Sequence, residues 1–375
     1  VDDRVVGMRI GITVDSLSTN LTGIGRYTWE LGQGLAARPE ITELSYFLGD
    51  HWHSDPAGLI SGKARRRSRL PRILRRWRAK QQFDGRLIHG TNYFLPPLAE
   101  SGIITVHDLS IYLHPGTHPI ERIRDFEKHF ESSLARATHV ITDSEATRRD
   151  LIDHLSYPAE KVSTVHLGVS DRFTARSSDE IRATLLRLFG KPVGDYVLSV
   201  ATFEPRKRIE SAIAAHAVFC DRTGRDIPLV LVGAKGWANA RLHTLIEAEQ
   251  RHGRLLMLGF VSEEDLPALY AGARLFLYPS VYEGFGLPPI EAMACGVPTI
   301  VSDRSCLPEV TQGAAMMIDP DDIDALSWAI ERGLDDDIWR NDAICAGTKL
   351  GAHYTWARCV GKTVDIYQAC SGRVG

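Results

Sequence analysis

The sequence predicts an α/β protein built from two doubly wound parallel sheets, and three observations carry that prediction. Short apolar or β-branched runs alternate with helix-length amphipathic segments along nearly the whole chain, the pattern of parallel strands joined by helical crossovers. The alternation pauses at a polar, arginine-rich stretch from about 170 to 194 and then restarts. With 375 residues, the chain also exceeds what one hydrophobic core usually serves, on a soft scale of about 150 residues per domain.

In the first half, strands are predicted at "RIGITVD", "LSYFLG", "RLIHGTN", "GIITVHD", "HVITDS" and "KVSTVHLG", and helices at "RYTWELGQGLAAR", "IERIRDFEKHFESSLARA" and "ATRRDLIDHLS". In the second half the strands are "DYVLSVATF", "PLVLVGA", "LLMLGFV", "RLFLYPS", "VPTIVSD" and "AAMMIDP". Two last helices, "IWRNDAICAGTKLGAHY" and "TWARCVGKTVDIYQACS", carry the chain past its final strand. The expected domains are therefore 8–175 and 190–356, with a tail of about 357–375 returning to the first. Open α/β sheets take ligands beyond the carboxyl ends of their strands, so two such domains facing each other predict a ligand cleft.

Hydrophobic and charged contents of 44% and 24% are those of an ordinary globular protein, which excludes disordered and fibrous classes. No apolar run approaches the roughly 20 residues that span a bilayer, and no secretory leader is visible, so a cytoplasmic protein is expected. The six cysteines lack CxxC pairs and neighbouring histidines, as expected of reduced thiols rather than disulfides or zinc ligands. Residues 1–7, ahead of Met8 and the first strand, carry no functional weight.

A net charge of −3 conceals one basic segment, "KARRRSRLPRILRRWRAK" at 63–80, with eight arginines, two lysines and no acid. Leu70, Ile73, Leu74 and Trp77 recur in it at helical spacing, which fits peripheral contact with an anionic membrane. An exposed arginine-rich helix or a disordered insertion fits equally well. Nucleic-acid binding is the weakest reading, because no zinc-based or aromatic-rich module accompanies the charge.

The stretch "SVYEGFGLPPIEAMACG" holds Glu283 and Glu291 on either side of a strand-to-helix loop. Proline in the first turn and Gly296 at the end bound a short helix there. Gly284 and Gly286 let backbone approach a ligand, and amides at a helix start favour an anion such as phosphate. A carboxylate can accept hydrogen bonds from two adjacent hydroxyls, so the two glutamates suit the two polyol ends of one molecule. A sugar joined through phosphates to a ribose has that shape. Read singly, Glu291 is an ordinary helix-start charge and Glu283 a solvated loop residue.

As a whole, "EGFGLPPIEAMA" is very similar to the E-x7-E motif of the retaining glycosyltransferases of family 4. These have the GT-B architecture of two Rossmann-like domains, and the resemblance extends over nearly the full chain from Met8. It implies that Glu283 orients hydroxyls of the transferred sugar and that Glu291 holds the ribose. The backbone of Gly284, Phe285, Gly286 and Leu287 would support the donor.

The remaining motifs keep the family's order. "TNLTGIGRYTWEL" places Gly23 and Gly25 just before a helix expected to begin near Tyr27; the resemblance makes Gly25 part of the loop approaching the donor phosphate, where a simple turn is the plain alternative. "IITVHDLS" puts His107 at a strand end, and the resemblance sets it beside the transferred sugar; Asp108 reads as a turn cap. "HGTNYFLPP", from His89, is also family-like. "ATFEPRKRIE" brings Arg206 and Lys207 ahead of a helix starting near Ile209, where they would neutralise a diphosphate leaving group. Relatives carry an arginine near Ala201 that this chain lacks, which leaves Arg206 as its candidate substitute. "LMLGFVSEEDL" places Gly259, Phe260 and Val261 at the nucleobase. The acidic string "DPDDIDAL" at 319–326 reads as helix capping rather than metal binding.

The motifs look most like the mannosyltransferase B-like branch of bacterial polysaccharide assembly. That implies GDP-mannose as donor, a glycan or lipid-linked oligosaccharide as acceptor, and no cofactor and no metal for the chemistry; membrane contact through 63–80 would set the enzyme at the inner membrane face. UDP-linked glucose or N-acetylglucosamine donors and rhamnose-type donors stay open. So do a phosphorylase, a nucleotide-sugar epimerase and a non-catalytic nucleotide- or glycan-binding protein of the same fold.

Overall fold

The computed structural model describes residues 7–19, 21–60, 79–234 and 240–371. They divide into two compact units, one containing the chain up to Gly168 and again from Trp356, the other Val169–Thr355. Most of the basic segment 63–80 lies outside the described residues.

In the first unit the described strands are β1 (Met8–Thr13), β2 (Ile41–Leu48), β3 (His51–His53), β4 (Leu87–Gly90), β5 (Gly102–Val106), β6 (Ala137–Thr142) and β7 (Val162–Thr164). They form one sheet of order β3-β2-β1-β4-β5-β6-β7. Every pairing is parallel except β3 with β2, an edge hairpin that the sequence did not predict. Trp52 secures that hairpin by packing edge-on against Phe47 and Phe83.

The helix after β1 spans Gly23–Ala36, one turn earlier than expected, because Thr22 caps it by accepting from the Gly25 amide. Gly23 and Gly25 therefore belong to its first turn rather than to a preceding loop. A Cβ on Gly25 would lie 2.9 Å from the Ser16 carbonyl, so only glycine lets the helix start so close to the end of β1. The last helix, Trp356–Ser371, buries Cys359, Val360, Val364 and Tyr367 and packs along Gly23–Ala36.

The second unit has a described sheet of order β10-β9-β8-β11-β12-β13, all parallel. Its strands are β8 (Val197–Val200), β9 (Leu229–Val232), β10 (Leu255–Gly259), β11 (Leu275–Tyr278), β12 (Thr299–Ser302) and β13 (Met316–Ile318). β9, β11 and β12 are buried on both faces, which is why β9 and β11 read as continuous apolar runs instead of alternating ones. Strand order reverses between β8 and β11, and in such sheets the crevice outside the carboxyl ends at the reversal is the ligand position.

The arginine-rich stretch read as a separator folds with this unit. It contains the helix Ser178–Phe189, started by a Ser177–Glu180 capping box and stopped by left-handed Gly190. Residues 169–175, which the sequence grouped with the first domain, are held here too: the Val169 amide donates to Tyr354 O at 2.9 Å, and Val169 bridges Thr355. In the acidic string, Asp322 caps the helix Ile323–Asp335 through the Ala325 amide at 2.9 Å. All six cysteines are free thiols. None of the described helices is long and apolar enough to cross a membrane.

Candidate active site

The chain leaves β8, extends through Glu204 and closes one 3-10 turn, Pro205–Lys207, before the helix Ile209–Thr223 begins. That turn lies beside the loop leaving β11. The Val281 amide and the Ser280 hydroxyl both donate to the Arg206 carbonyl, at 2.9 and 3.2 Å. Two loops from neighbouring strands are thus tied backbone to backbone, and the ties bring Arg206, Lys207 and Glu283 together.

Lys207 Nζ donates to Glu283 Oε1 at 2.5 Å, and Arg206 Nη1 donates to Glu283 Oε2 at 3.3 Å. Tyr278, the last residue of β11, inserts its hydroxyl between them, donating to Glu283 Oε1 at 2.7 Å and accepting from Lys207 at 3.2 Å. Arg206 is fixed further by Glu204 at 2.9 Å and by the Tyr282 carbonyl at 2.8 Å. Lys207 and Glu283 are 9% and 6% exposed, so this is a buried ion cluster and not a solvated pair.

Its electrostatics follow from that burial. Desolvation pushes the Glu283 carboxyl upward, but the Lys207 and Arg206 charges outweigh it and hold the group below its ordinary value. Lys207 is shifted downward, first by burial and then by Arg206, with Glu283 opposing. Burial and the Glu283 charge raise Tyr278 well above an ordinary phenol, so it stays a donor. The sequence assigned the cations to a phosphate and the carboxylate to a sugar; the structure joins all three side chains to one another. Tyr278 and Glu204 were missed, because neither a strand-terminal tyrosine nor a loop acid marks itself by spacing.

Beyond Glu283, Gly286 adopts φ +86°, which opens the helix Leu287–Ala294 with prolines in its first turn. Phe285 turns inward, 3% exposed, against the ring of Tyr354, so its side chain serves the core. Half-buried Glu291 accepts from the Tyr270 hydroxyl at 3.0 Å. At the end of β10, Gly259 has φ +70°, Val261 is buried, and Phe260 is 59% exposed, a surface aromatic beside the carboxyl ends of the sheet.

In the first unit, His107 follows β5 as a buried ring with both nitrogens engaged. Nδ1 faces Asp143 Oδ2 at 2.7 Å and Nε2 faces the Thr91 carbonyl at 2.9 Å. A carbonyl only accepts, so Nε2 carries a proton; a second proton must then lie between Nδ1 and the carboxyl. Burial would lower the imidazole, yet Asp143 overturns this and raises it; burial also raises Asp143, with His107 opposing, so the pair retains that proton. Tyr27 and Tyr93 pack edge-on against the ring. Asp108 caps its turn through the Ser110 amide at 2.9 Å. Asp143 and Thr91 escaped the sequence reading, since a partner 36 residues away leaves no local pattern.

Residues 21–173 match the model for Glycosyltransferase Family 4, and residues 190–350 match that for Glycosyl transferases group 1. Over 381 aligned residues, 96% of this chain and 100% of the relative, the sequence is 36% identical to O-antigen chain mannosyltransferase B of Escherichia coli. The chain belongs to glycosyltransferase family 4. It is an enzyme of the hexosyltransferase type. O-antigen chain mannosyltransferase RfbU of Salmonella typhimurium is 30% identical across 64% of this chain and 63% of its own. Among solved structures, Anabaena HepE in complex with UDP-glucose superposes with a TM-score of 0.75 at 17% identity, covering 96% of this family 4 chain and 100% of HepE. WaaG, a glycosyltransferase involved in lipopolysaccharide biosynthesis, gives 0.70 at 15% identity, covering 95% and 99%. These two likenesses show the shared GT-B fold.

Proposed function

We propose that this family 4 enzyme is a retaining mannosyltransferase that moves mannose from GDP-mannose to a hydroxyl of a glycan or lipid-linked oligosaccharide during cell-surface polysaccharide assembly. The observation that carries the proposal is the buried Lys207–Tyr278–Glu283–Arg206 cluster at the carboxyl ends of the two strands where sheet order reverses. The full-length similarity to an O-antigen chain mannosyltransferase supports mannose as the sugar.

In this reading Glu283, kept ionised by its two cations, accepts hydrogen bonds from sugar hydroxyls and sets the anomeric carbon. The bond from that carbon to the β-phosphate oxygen breaks, with its electron pair leaving on the phosphate. The acceptor oxygen bonds to the carbon on the same face, and its proton passes to the departing phosphate. Arg206 and Lys207 stabilise the charge that develops there, in a low-dielectric setting where fixed cations act most strongly. Lys207 offers a phosphate the N–H that Tyr278 and Glu283 do not use. With this side-chain charge in place, no bound metal is invoked. Glu291 holds the ribose, the 284–287 backbone supports the donor, 259–261 take the base, Gly25 approaches the donor phosphate and His107 lies beside the transferred sugar.

The reaction belongs in the cytoplasm, at the inner membrane face, with 63–80 as the peripheral contact. The test is transfer from GDP-mannose to an α-mannosyl oligosaccharide in the presence of a chelator, with the mass gain read by mass spectrometry and the anomeric configuration by NMR. A product heavier by one hexose with retained α-configuration is expected. No product from GDP-mannose, with product from UDP-glucose instead, would overturn the donor.

A further inference from the structure

The loop carrying Glu283 is gripped from a third strand end. Ser305, in the turn after β12, donates from Oγ to the Glu283 carbonyl at 2.8 Å and accepts from the Glu283 amide at 3.2 Å. One hydroxyl thereby satisfies both main-chain groups of a residue 22 positions away. Beside it, the Ser302 hydroxyl donates to the Ser280 carbonyl. β12 is the sheet neighbour of β11, which in turn adjoins β8, so loops from three adjacent strands lock together at the carboxyl ends of the sheet.

Ser305 itself sits at φ +56°, a left-handed conformation that a non-glycine residue adopts at a cost and that surrounding structure must enforce. Glycine would take this φ without strain but has no hydroxyl to offer. Serine at a strained position, with its hydroxyl on both peptide groups of the carboxylate-bearing residue, is the arrangement expected where orientation matters more than local ease.

We infer that Ser305 is a positioning residue for Glu283. Its hydroxyl fixes the φ and ψ of Glu283, and so the direction in which the carboxylate leaves the backbone toward the sugar. The Lys207 and Arg206 contacts then only have to hold the tip. This inference rests on the role proposed for Glu283. A misplacement of about 1 Å in such a group is enough to cost about 100-fold in rate.

Ser305→Gly separates the two aspects of the residue, because it relieves the backbone while deleting the hydroxyl. The assay is GDP release from GDP-mannose in the presence of an α-mannosyl oligosaccharide, run beside thermal unfolding. Ser305→Gly is expected to melt within a few degrees of the wild type, with kcat lowered about 10- to 100-fold and donor KM nearly unchanged. Ser305→Ala, which keeps the strain and loses the hydroxyl, should show the same kcat and melt lower. A Ser305→Gly protein with kcat within about twofold of wild type would overturn the inference, since a merely structural serine is replaced there without kinetic cost. Glu283→Gln in the same assay separates the two levels: if it abolishes turnover while Ser305→Gly stays within about twofold of the wild type, the positioning role alone fails. If it too turns over normally, the role given to Glu283 fails first.

Discussion

Glu283 is ionised in a place where burial favours the neutral acid, and two cations account for the difference. Removing its charge with Glu283→Gln should lower the transfer rate by at least about 100-fold, the scale of losing a preorganised electrostatic partner. The same change strands Lys207 and Arg206, so stability should also fall by about 3 kcal/mol, measured by denaturant unfolding. A variant that loses activity but no stability would contradict the cluster. The pH response has a definite sign: a depressed carboxyl contributes stability above its ordinary value of about 4.3 and loses it as pH falls through the lower folded value. Acid unfolding of Glu283→Gln should therefore be less steep than that of the wild type. The His107–Asp143 pair works in the opposite direction. A raised histidine stabilises fully below about 6.5, and that contribution fades as pH climbs through the folded value. Melting temperature above neutral pH should decline less in His107→Gln than in the wild type; parallel curves would argue against a retained proton. At this scale the sequence was legible where a motif is contiguous, as from Glu283 to Glu291. It was not legible where partners meet only by folding, as Tyr278, Ser305 and Asp143 do.

Among elements, the turn into Leu287–Ala294 is the most constrained. At φ +86°, Gly286 would place a Cβ 2.9 Å from the Leu307 side chain, so Gly286→Ala is both strained and crowded. A loss of about 1–2 kcal/mol is expected from chemical denaturation, with weaker donor binding; an unchanged midpoint would remove the reason given for glycine. The strands were readable because parallel strands buried on both faces must be apolar throughout, as "LVLV" and "LFLY" are. The start of Gly23–Ala36 was misplaced because glycines read as loop, whereas the Thr22 cap and the close packing on Ser16 draw them into the helix. The strand β3 was too short for any periodicity to announce it.

For the molecule as a whole, the decisive long-range feature is the return of the C-terminal helix to the first unit. Tyr367 donates or accepts at His89 Nδ1 over 2.6 Å, and His89 continues through Thr105 to the hydroxyl of Tyr27. Burial drops His89 to about 3, so it takes part as a neutral ring near neutral pH. Ending the chain at 355 would expose Val360-facing apolar surface on Gly23–Ala36 and leave His89 without its tyrosine. The truncated protein should aggregate or melt at least 10 °C lower, by several kcal/mol of lost apolar burial. An unchanged melting curve would show that the helix is dispensable. Two α/β sheets were evident in the alternation of strand and helix, and the return of the tail was read at about 357 against Trp356, but the first change of unit, at Val169, was not evident. Val169 and Tyr354 set that point by pairing, and nothing in their local sequence signals it. In the proposed function a buried cluster, held by loops from adjacent strands, binds the nucleotide diphosphate of a mannosyl donor. Calorimetric titration with GDP, UDP and ADP in the presence of a chelator tests it most directly, using the wild type and Lys207→Met. GDP is expected to bind the wild type more tightly than the other two, and the variant at least about 10-fold less tightly than the wild type. No nucleotide binding, or GDP affinity indifferent to Lys207, would contradict it.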